Sequence, residues 1–369
     1  MERQTRRDAW TVGLLLGGLL ALGLWAGFFH RGDFSDRERR YLSEAPALPR
    51  LHETWKTDRE VESYLSDRVP MRHLLVGINA GMSEATGRVS EMETWHVGDA
   101  IVEQPVTGQR DTILRRAEQF ERLAGEIGAP VYFLTPPTHG FLLKESMPGY
   151  MGALYDGEAD LLEALRSTGK MIELPEEFAA SPETVYYRTD HHWTLDGASM
   201  AYDAVCRAMG FERVSQEDFT CREFPGFYGT TFSRSGLLFA RADTIRTAEK
   251  EGGRLYIGDS GETFDYLIFP EHAETYDGYA VYLGGNHGYL EITGENADGG
   301  TLLVYKDSFA NCLLPLLAAS FRKVVAVDVR YYAGSAQEAA RAAGDVDAIL
   351  CCYSLDSLMN DTNLARKLR

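Results

Sequence analysis

With 369 residues, 44% of them hydrophobic and 25% charged, the chain has the make-up of a folded globular protein with one large core, or a core plus an insertion. A formal net charge of -18 repels phosphate backbones, and no cluster of Lys and Arg stands outside the flanks of an apolar N-terminal stretch, which argues against nucleic acid as a partner. Five cysteines leave at least one thiol unpaired; Cys206 and Cys221 could bridge, while Cys312, Cys351 and Cys352 suit buried positions.

The first element is the uncharged run Trp10–Phe29, about twenty residues and long enough as a helix to cross a bilayer. It exceeds a signal-peptide core and lacks a clear small-x-small cleavage pattern, so it is expected to be an uncleaved transmembrane anchor with a short cytoplasmic tail before it, residues 1–30 in all. A short N-terminal tail points to a signal-anchor with the following domain exported. Residues 31–57, charged and holding Pro46 and Pro49, read as a stalk. From Asp58 to Gly87 the spacing is helical with a break at Pro70. Ala100–Val106 reads as a strand, Thr112–Ile127 as an amphipathic helix, Pro130–Leu134 as a buried strand, Gly157–Thr168 as a helix and Met171–Leu174 as a strand. Leu195–Met209 is a further helix. Residues 211–300 alternate aromatic residues and glycines and read as a β-rich insertion. Beyond it come strand Leu302–Tyr305, helix Asn311–Phe321, strand Val324–Val329, helix Ala336–Ala343 and strand Ala348–Cys352. Strands alternating with helices predict an α/β domain over 58–369, with a parallel sheet covered by helices on both faces.

Two clusters carry the chemistry. The first is Asp190-His191-His192-Trp193-Thr194, placed just before the helix at Leu195. An Asp beside an imidazole fixes its tautomer and stabilises its charged form. Helix capping accounts for Thr194 but not for the four residues before it. The second is Lys306-Asp307-Ser308, where a buried strand stops and a helix follows. That arrangement sets a hydroxyl at the carboxyl edge of a parallel sheet, near backbone N–H groups able to face an oxyanion. As plain structure, Ser308 or Asp307 would be a helix cap. Gly258-Asp259-Ser260 spells a Gly-Asp-Ser signature more literally, yet no helix follows it, so Ser308 ranks ahead. Asp190, His191, His192 and His287 could be read as a zinc set. Adjacent histidines rarely point at one centre, however, and neither His-x-x-x-His nor Cys-x-x-Cys occurs, so no metal is assigned and no cofactor is called for.

The Asp-His-His-Trp run, Ser308 after its apolar strand, and Val327-Asp328-Val329-Arg330-Tyr331-Tyr332 together resemble the DHHW proteins, relatives of the alginate O-acetylation proteins AlgJ and AlgX in the SGNH-hydrolase superfamily. Tyr64–Arg72 and Gly284-Gly285-Asn286-His287-Gly288 fit the same pattern. The resemblance implies an SGNH-hydrolase-like domain, a flavodoxin-like three-layer fold, with Ser308 as nucleophile, His192 as its base and Asp190 orienting His192. His191 stands where those proteins commonly carry Thr, which leaves two imidazoles to choose between. Lys306 stands where they carry Gly. For the oxyanion, the Ser308 N–H comes first, with Asn286 and Arg330 as side-chain contributors; a turn role for Asn286 and an ion pair for Arg330 are the plainer readings. The activity implied is acyl transfer to an exported polysaccharide, O-acetylation above all, at the outer face of the cell membrane, with a membrane-bound O-acyltransferase as donor. A glycan acetylesterase, or a glycan-binding scaffold without catalysis, are the alternatives.

Overall fold

The computed structural model describes residues 10–14, 16–18, 20–21, 23–25, 32–45, 54–86, 94–294 and 296–368. They fall into two compact units, one of residues 1–92 with 233–239, the other of residues 93–232 with 240–369. In the first, helices Thr54–Arg68 and Arg72–Ala85 are parted at Val69–Met71, where Pro70 cannot donate to a continuing helix and Met71 takes a positive φ of 59°. Asp67 accepts from Arg40 (2.5 Å) and from Ser43, and the Arg40 guanidinium holds its carboxyl well below the usual range. The expected stalk holds a short hairpin pairing Phe34–Ser35 with Arg40–Tyr41, and its residues 46–53 lie outside those described.

The expected transmembrane helix Trp10–Phe29 lies only partly within the described residues, which are helical there. Among the described residues no helix is long and apolar enough to cross a membrane, so the structure lends that expectation no support.

The second unit is built on a seven-stranded sheet. In chain order its strands are β1 Val131–Leu134, β2 Arg254–Ile257, β3 Glu262–Phe264, β4 Tyr289–Thr293, β5 Thr301–Lys306, β6 Lys323–Val327 and β7 Ala348–Cys352, and in space they run β1-β7-β5-β6-β4-β2-β3. The first four in space are parallel, with Tyr305 opposite Val327 and Cys351. The sheet is therefore mixed: three strands of the 211–300 region extend it antiparallel, Tyr289 lying opposite Val327. The remaining strands of that region, Thr220–Phe227 and Asp243–Glu249, form a separate ribbon.

Alternation along each parallel strand sends neighbouring side chains to opposite faces. Leu302 and Val304 join helices Leu195–Met209 and Leu314–Ser320 in one core, while Leu303 and Tyr305 join helices Arg110–Ile127, Asp156–Arg166 and Ala336–Ala343 in the other. Cys351 and Cys352 divide between the same two cores. All five cysteines are free thiols, Cys206 buried and Cys221 exposed, so the suggested bridge between them does not form. Two expected elements change. Met171–Leu174 contributes only a single bridge from Met171 to Phe133. Asn311–Phe321 divides into a 3-10 turn, Ser308–Cys312, and the helix Leu314–Ser320, because Pro315 lacks the N–H a continuous helix would use and starts a new first turn instead.

Candidate active site

The parallel strands all end at one edge, where β5 runs into Asp307 and Ser308, β6 into Asp328 and Arg330, and β7 into Tyr353 and Ser354. Asp307 ties the turn after β5 in place. Its carboxylate accepts from Phe309 N–H (2.9 Å), Ser354 N–H (2.9 Å) and the Ser354 hydroxyl (2.6 Å). Burial would raise its pKa, but these donors and Arg330 hold it low. Asp307 is thus the cap, and Ser308 is left half-buried with its hydroxyl directed elsewhere.

That hydroxyl lies 2.8 Å from His192 Nε2, and His192 Nδ1 lies 2.5 Å from Asp190 Oδ1. An ionised carboxylate can only accept, so Nδ1 carries the proton and neutral His192 offers the Nε2 lone pair to Ser308. Asp190 is 1% exposed and His192 5%. Burial pushes the Asp190 carboxyl up, but the adjacent His192 and His191 and the N–H donors outweigh it and keep the group ionised. For His192, burial and then His191 push the imidazole below its usual 6.5, with Asp190 pulling back.

Several contacts that sequence reasoning missed hold this arrangement. Asp190 also accepts from His192 N–H (2.9 Å) and, on its other oxygen, from Thr230 N–H (2.6 Å). The preceding Thr189 bonds through N–H and hydroxyl to Asp243 (2.8 and 2.6 Å), and Gly229 N–H donates to its hydroxyl. The Tyr279 ring stacks on His192 at 3.9 Å and 5°. Trp193 Nε1–H donates to Phe309 O (2.9 Å), joining the histidine loop to the serine turn. Only Trp193 carried a signal beforehand, since an aromatic beside paired histidines is a costly residue for a connector. Thr194 caps the helix through Gly197 N–H, as expected.

The other named residues divide. The His191 ring lies tilted against His192 (3.9 Å, 36°), with its Nδ1 3.8 Å from Asp190 and buried without a hydrogen-bond partner among the described residues. It is His192, not His191, that reaches Ser308. Asp190, His191 and His192 form the metal-capable group among the described residues, yet both Asp190 oxygens and His192 Nδ1 are already engaged with each other and with Thr230, a donor set poorly disposed to a cation. Arg330 donates to Asp328 through Nε (2.9 Å) and Nη2 (2.6 Å), which favours the ion-pair reading over an oxyanion contact. Asn286 is exposed, and its side-chain oxygen accepts from Asn311 (3.1 Å). Ser260 sits on the exposed turn between β2 and β3, where it accepts from Glu262 N–H; its neighbour Asp259 accepts from Gly288 N–H (2.6 Å). The literal Gly-Asp-Ser thus braces the Gly-Gly-Asn-His-Gly loop.

The family model "DHHW protein" matches residues 166–327, a span that contains Asp190–Trp193, Asn286 and Ser308 and stops before Arg330. Among solved structures, a DHHW family protein from Eubacterium siraeum is similar at a TM-score of 0.63 and 19% identity, covering 74% of this chain and 94% of that one. Bacillus cereus PatB1, solved with a sulfonyl adduct, is similar at 0.61 and 20%, covering 73% and 97%. The O-acetyltransferase domain of Pseudomonas putida AlgJ aligns at 0.43 and 11%, covering 74% and 98%. No curated protein sequence matches the chain. The resemblance read from Asp190–Thr194 and Ser308 stands: over residues 166–327 the chain resembles the DHHW proteins, and it shares the fold of a solved member of that family.

Proposed function

We propose that this protein is a serine-dependent acyltransferase acting on the hydroxyls of an exported polysaccharide, with acetyl as the group moved and a membrane-bound O-acyltransferase as its donor. The observation that carries the reading is the unbroken hydrogen-bond chain from Asp190 through His192 to Ser308. In it, the Ser308 oxygen attacks the acyl carbonyl carbon while His192 Nε2 takes the hydroxyl proton. The same proton passes to the leaving oxygen as that bond breaks, leaving an ester on Ser308. An acceptor hydroxyl then gives its proton to His192, attacks the ester, and Ser308 regains a proton as it departs. Asp190 holds the imidazolium that forms in each half. The Ser308 N–H, for which no acceptor occurs among the described residues, and the Asn286 amide are suited to the oxyanion. Placement outside the cytoplasm belongs to the same proposal and rests on the apolar run Trp10–Phe29. A cytoplasmic acyl thioester would not reach a domain placed there, hence the membrane donor.

The fold shared with PatB1, whose structure carries a sulfonyl adduct, supports the choice of a nucleophile-dependent chemistry. The test is turnover of p-nitrophenyl acetate by the full chain. Ser308→Ala and His192→Ala each abolish it and Ser260→Ala leaves it unchanged; a dead Ser260→Ala beside an active Ser308→Ala contradicts the proposal. Adding acetylated donor and oligosaccharide acceptors then separates transfer from hydrolysis.

A further inference from the structure

Lys306 is the last residue of β5 and shares the face of Leu302 and Val304, so its side chain enters the core beneath the serine turn. It is fully buried, as is Asn311, which is 1% exposed. A buried ammonium is costly unless it is paired and hydrogen-bonded. Here Nζ donates to Asn311 Oδ1 at 2.6 Å, with Asp328 and Asp307 as the nearby opposing charges and Arg330 as the like one.

That bond decides the orientation of two amides. Burial lowers the Lys306 pKa, but its Nζ–H donates to Oδ1 and the amide's other end meets a backbone carbonyl, so Asn311 turns its oxygen to Lys306 and its NH2 the other way. The NH2 meets the carbonyl of Gly285 (3.4 Å), which can only accept, and the Asn286 side chain (3.1 Å). The Gly285 carbonyl, which has a single possible role, therefore settles which way Asn311 faces. Asn286 must in turn present its oxygen to Asn311, which leaves its own NH2 available as a donor. Asn311 belongs to the 3-10 turn that begins at Ser308, and in such a helix residues three apart eclipse, so Asn311 springs from the same face of the turn as Ser308. From the far side, Asp259 holds the same loop through Gly288 N–H.

We propose that Lys306 and Asn311 are positioning residues that lock the Asn286 amide with its N–H donors, rather than its oxygen, toward the acyl oxygen of the substrate. This rests on the reading of Ser308 as nucleophile and Asn286 as an oxyanion donor. An unlocked Asn286 would spend part of its time with its oxygen toward the oxyanion, where it repels; the Lys306–Asn311 pair removes that state.

Asn311→Asp is the discriminating variant. The aspartate keeps an acceptor for Lys306, and so the buried pair, but has no N–H to hold Asn286 by its oxygen. With p-nitrophenyl acetate and the full chain, Asn311→Asp lowers kcat roughly 10- to 100-fold with KM within about two-fold and the melting temperature unchanged. Asn286→Ala lowers kcat to a similar extent. The double variant is no slower than Asn286→Ala alone, because both changes remove one interaction. Lys306→Met, if it folds, shows the same non-additivity. Multiplying effects in the double variant overturn the proposal, since they mark Asn311 as acting independently of Asn286. So does an unimpaired Asn311→Asp, or an unimpaired Asn286→Ala. Turnover surviving in Ser308→Ala refutes the underlying reading instead, and the proposal falls with it.

Discussion

Gly229 offers a test of the triad that substitutes none of its members. A Cβ added there would lie 2.2 Å from Asp190 Cβ and 2.3 Å from its Oδ2. Ordinary carbon contacts are about 3.5 Å, so Gly229→Ala forces the 229–230 backbone and Asp190 apart by about 1 Å. The Thr230 N–H bond to Asp190 Oδ2, now 2.6 Å, then opens beyond hydrogen-bonding range. Losing a bond to a buried carboxylate costs roughly 1.5–3 kcal/mol of stability. If Asp190 moves rather than the backbone, His192 moves with it, and a displacement of this size at a reacting group costs on the order of 100-fold in rate. Gly229→Ala is therefore expected to lower kcat/KM for an acetyl ester about 100-fold and to reduce denaturant stability by the amount above. Both are read on the same preparation. A variant within two-fold of the parent in kcat/KM would refute the reasoning that Asp190 is held by this backbone.

The lowered pKa of His192 predicts a pH profile. A general base must be neutral, so kcat/KM rises through a single ionisation centred below pH 6.5 and is flat from there to pH 8; His191→Ala, which removes the neighbouring imidazole that pushes His192 down and opens the site, moves that midpoint upward. A parent midpoint above 6.5 contradicts the electrostatic account. Stability has its own titration at Glu158, buried under Thr138 and Val106 N–H, whose carboxyl burial pushes from an ordinary 4.5 up to about 7. Between those pH values the folded state holds a proton the unfolded chain has released, so stability is full below 4.5 and is lost as pH rises to 7, by roughly 3 kcal/mol. Glu158→Gln removes that slope in denaturation measured from pH 4.5 to 8, and an unchanged slope assigns it elsewhere.

What could be read from the chain was what local pattern encodes. Helices Leu195–Met209 and Ala336–Ala343 and strand Ala348–Cys352 are found at their expected ends, because apolar periodicity and the caps at Thr194 and Ser335 are local signals. Ser308 ranked above Ser260 for the same reason: one follows a buried strand and precedes a helical turn, the other sits in a hairpin. That three strands of the β-rich insertion extend the main sheet was hidden because β2, β3 and β4 are short and separated by loops, so their partners are a matter of long-range pairing. The supports of the triad were hidden likewise. Thr230 reaches Asp190 across 40 residues and Trp193 reaches Phe309 across 116. The 3-10 turn at Ser308 was read as the start of a longer helix because Pro315 suits a first turn as readily as it breaks an interior.

The central claim is that the Ser308 oxygen is made nucleophilic by His192. It is tested most directly by treating the full chain with phenylmethylsulfonyl fluoride and mapping the adduct by peptide mass spectrometry. A single sulfonyl group on Ser308, absent from His192→Ala and from Ser308→Ala, is the expected result. An unlabelled Ser308, or labelling that persists without His192, would contradict the account.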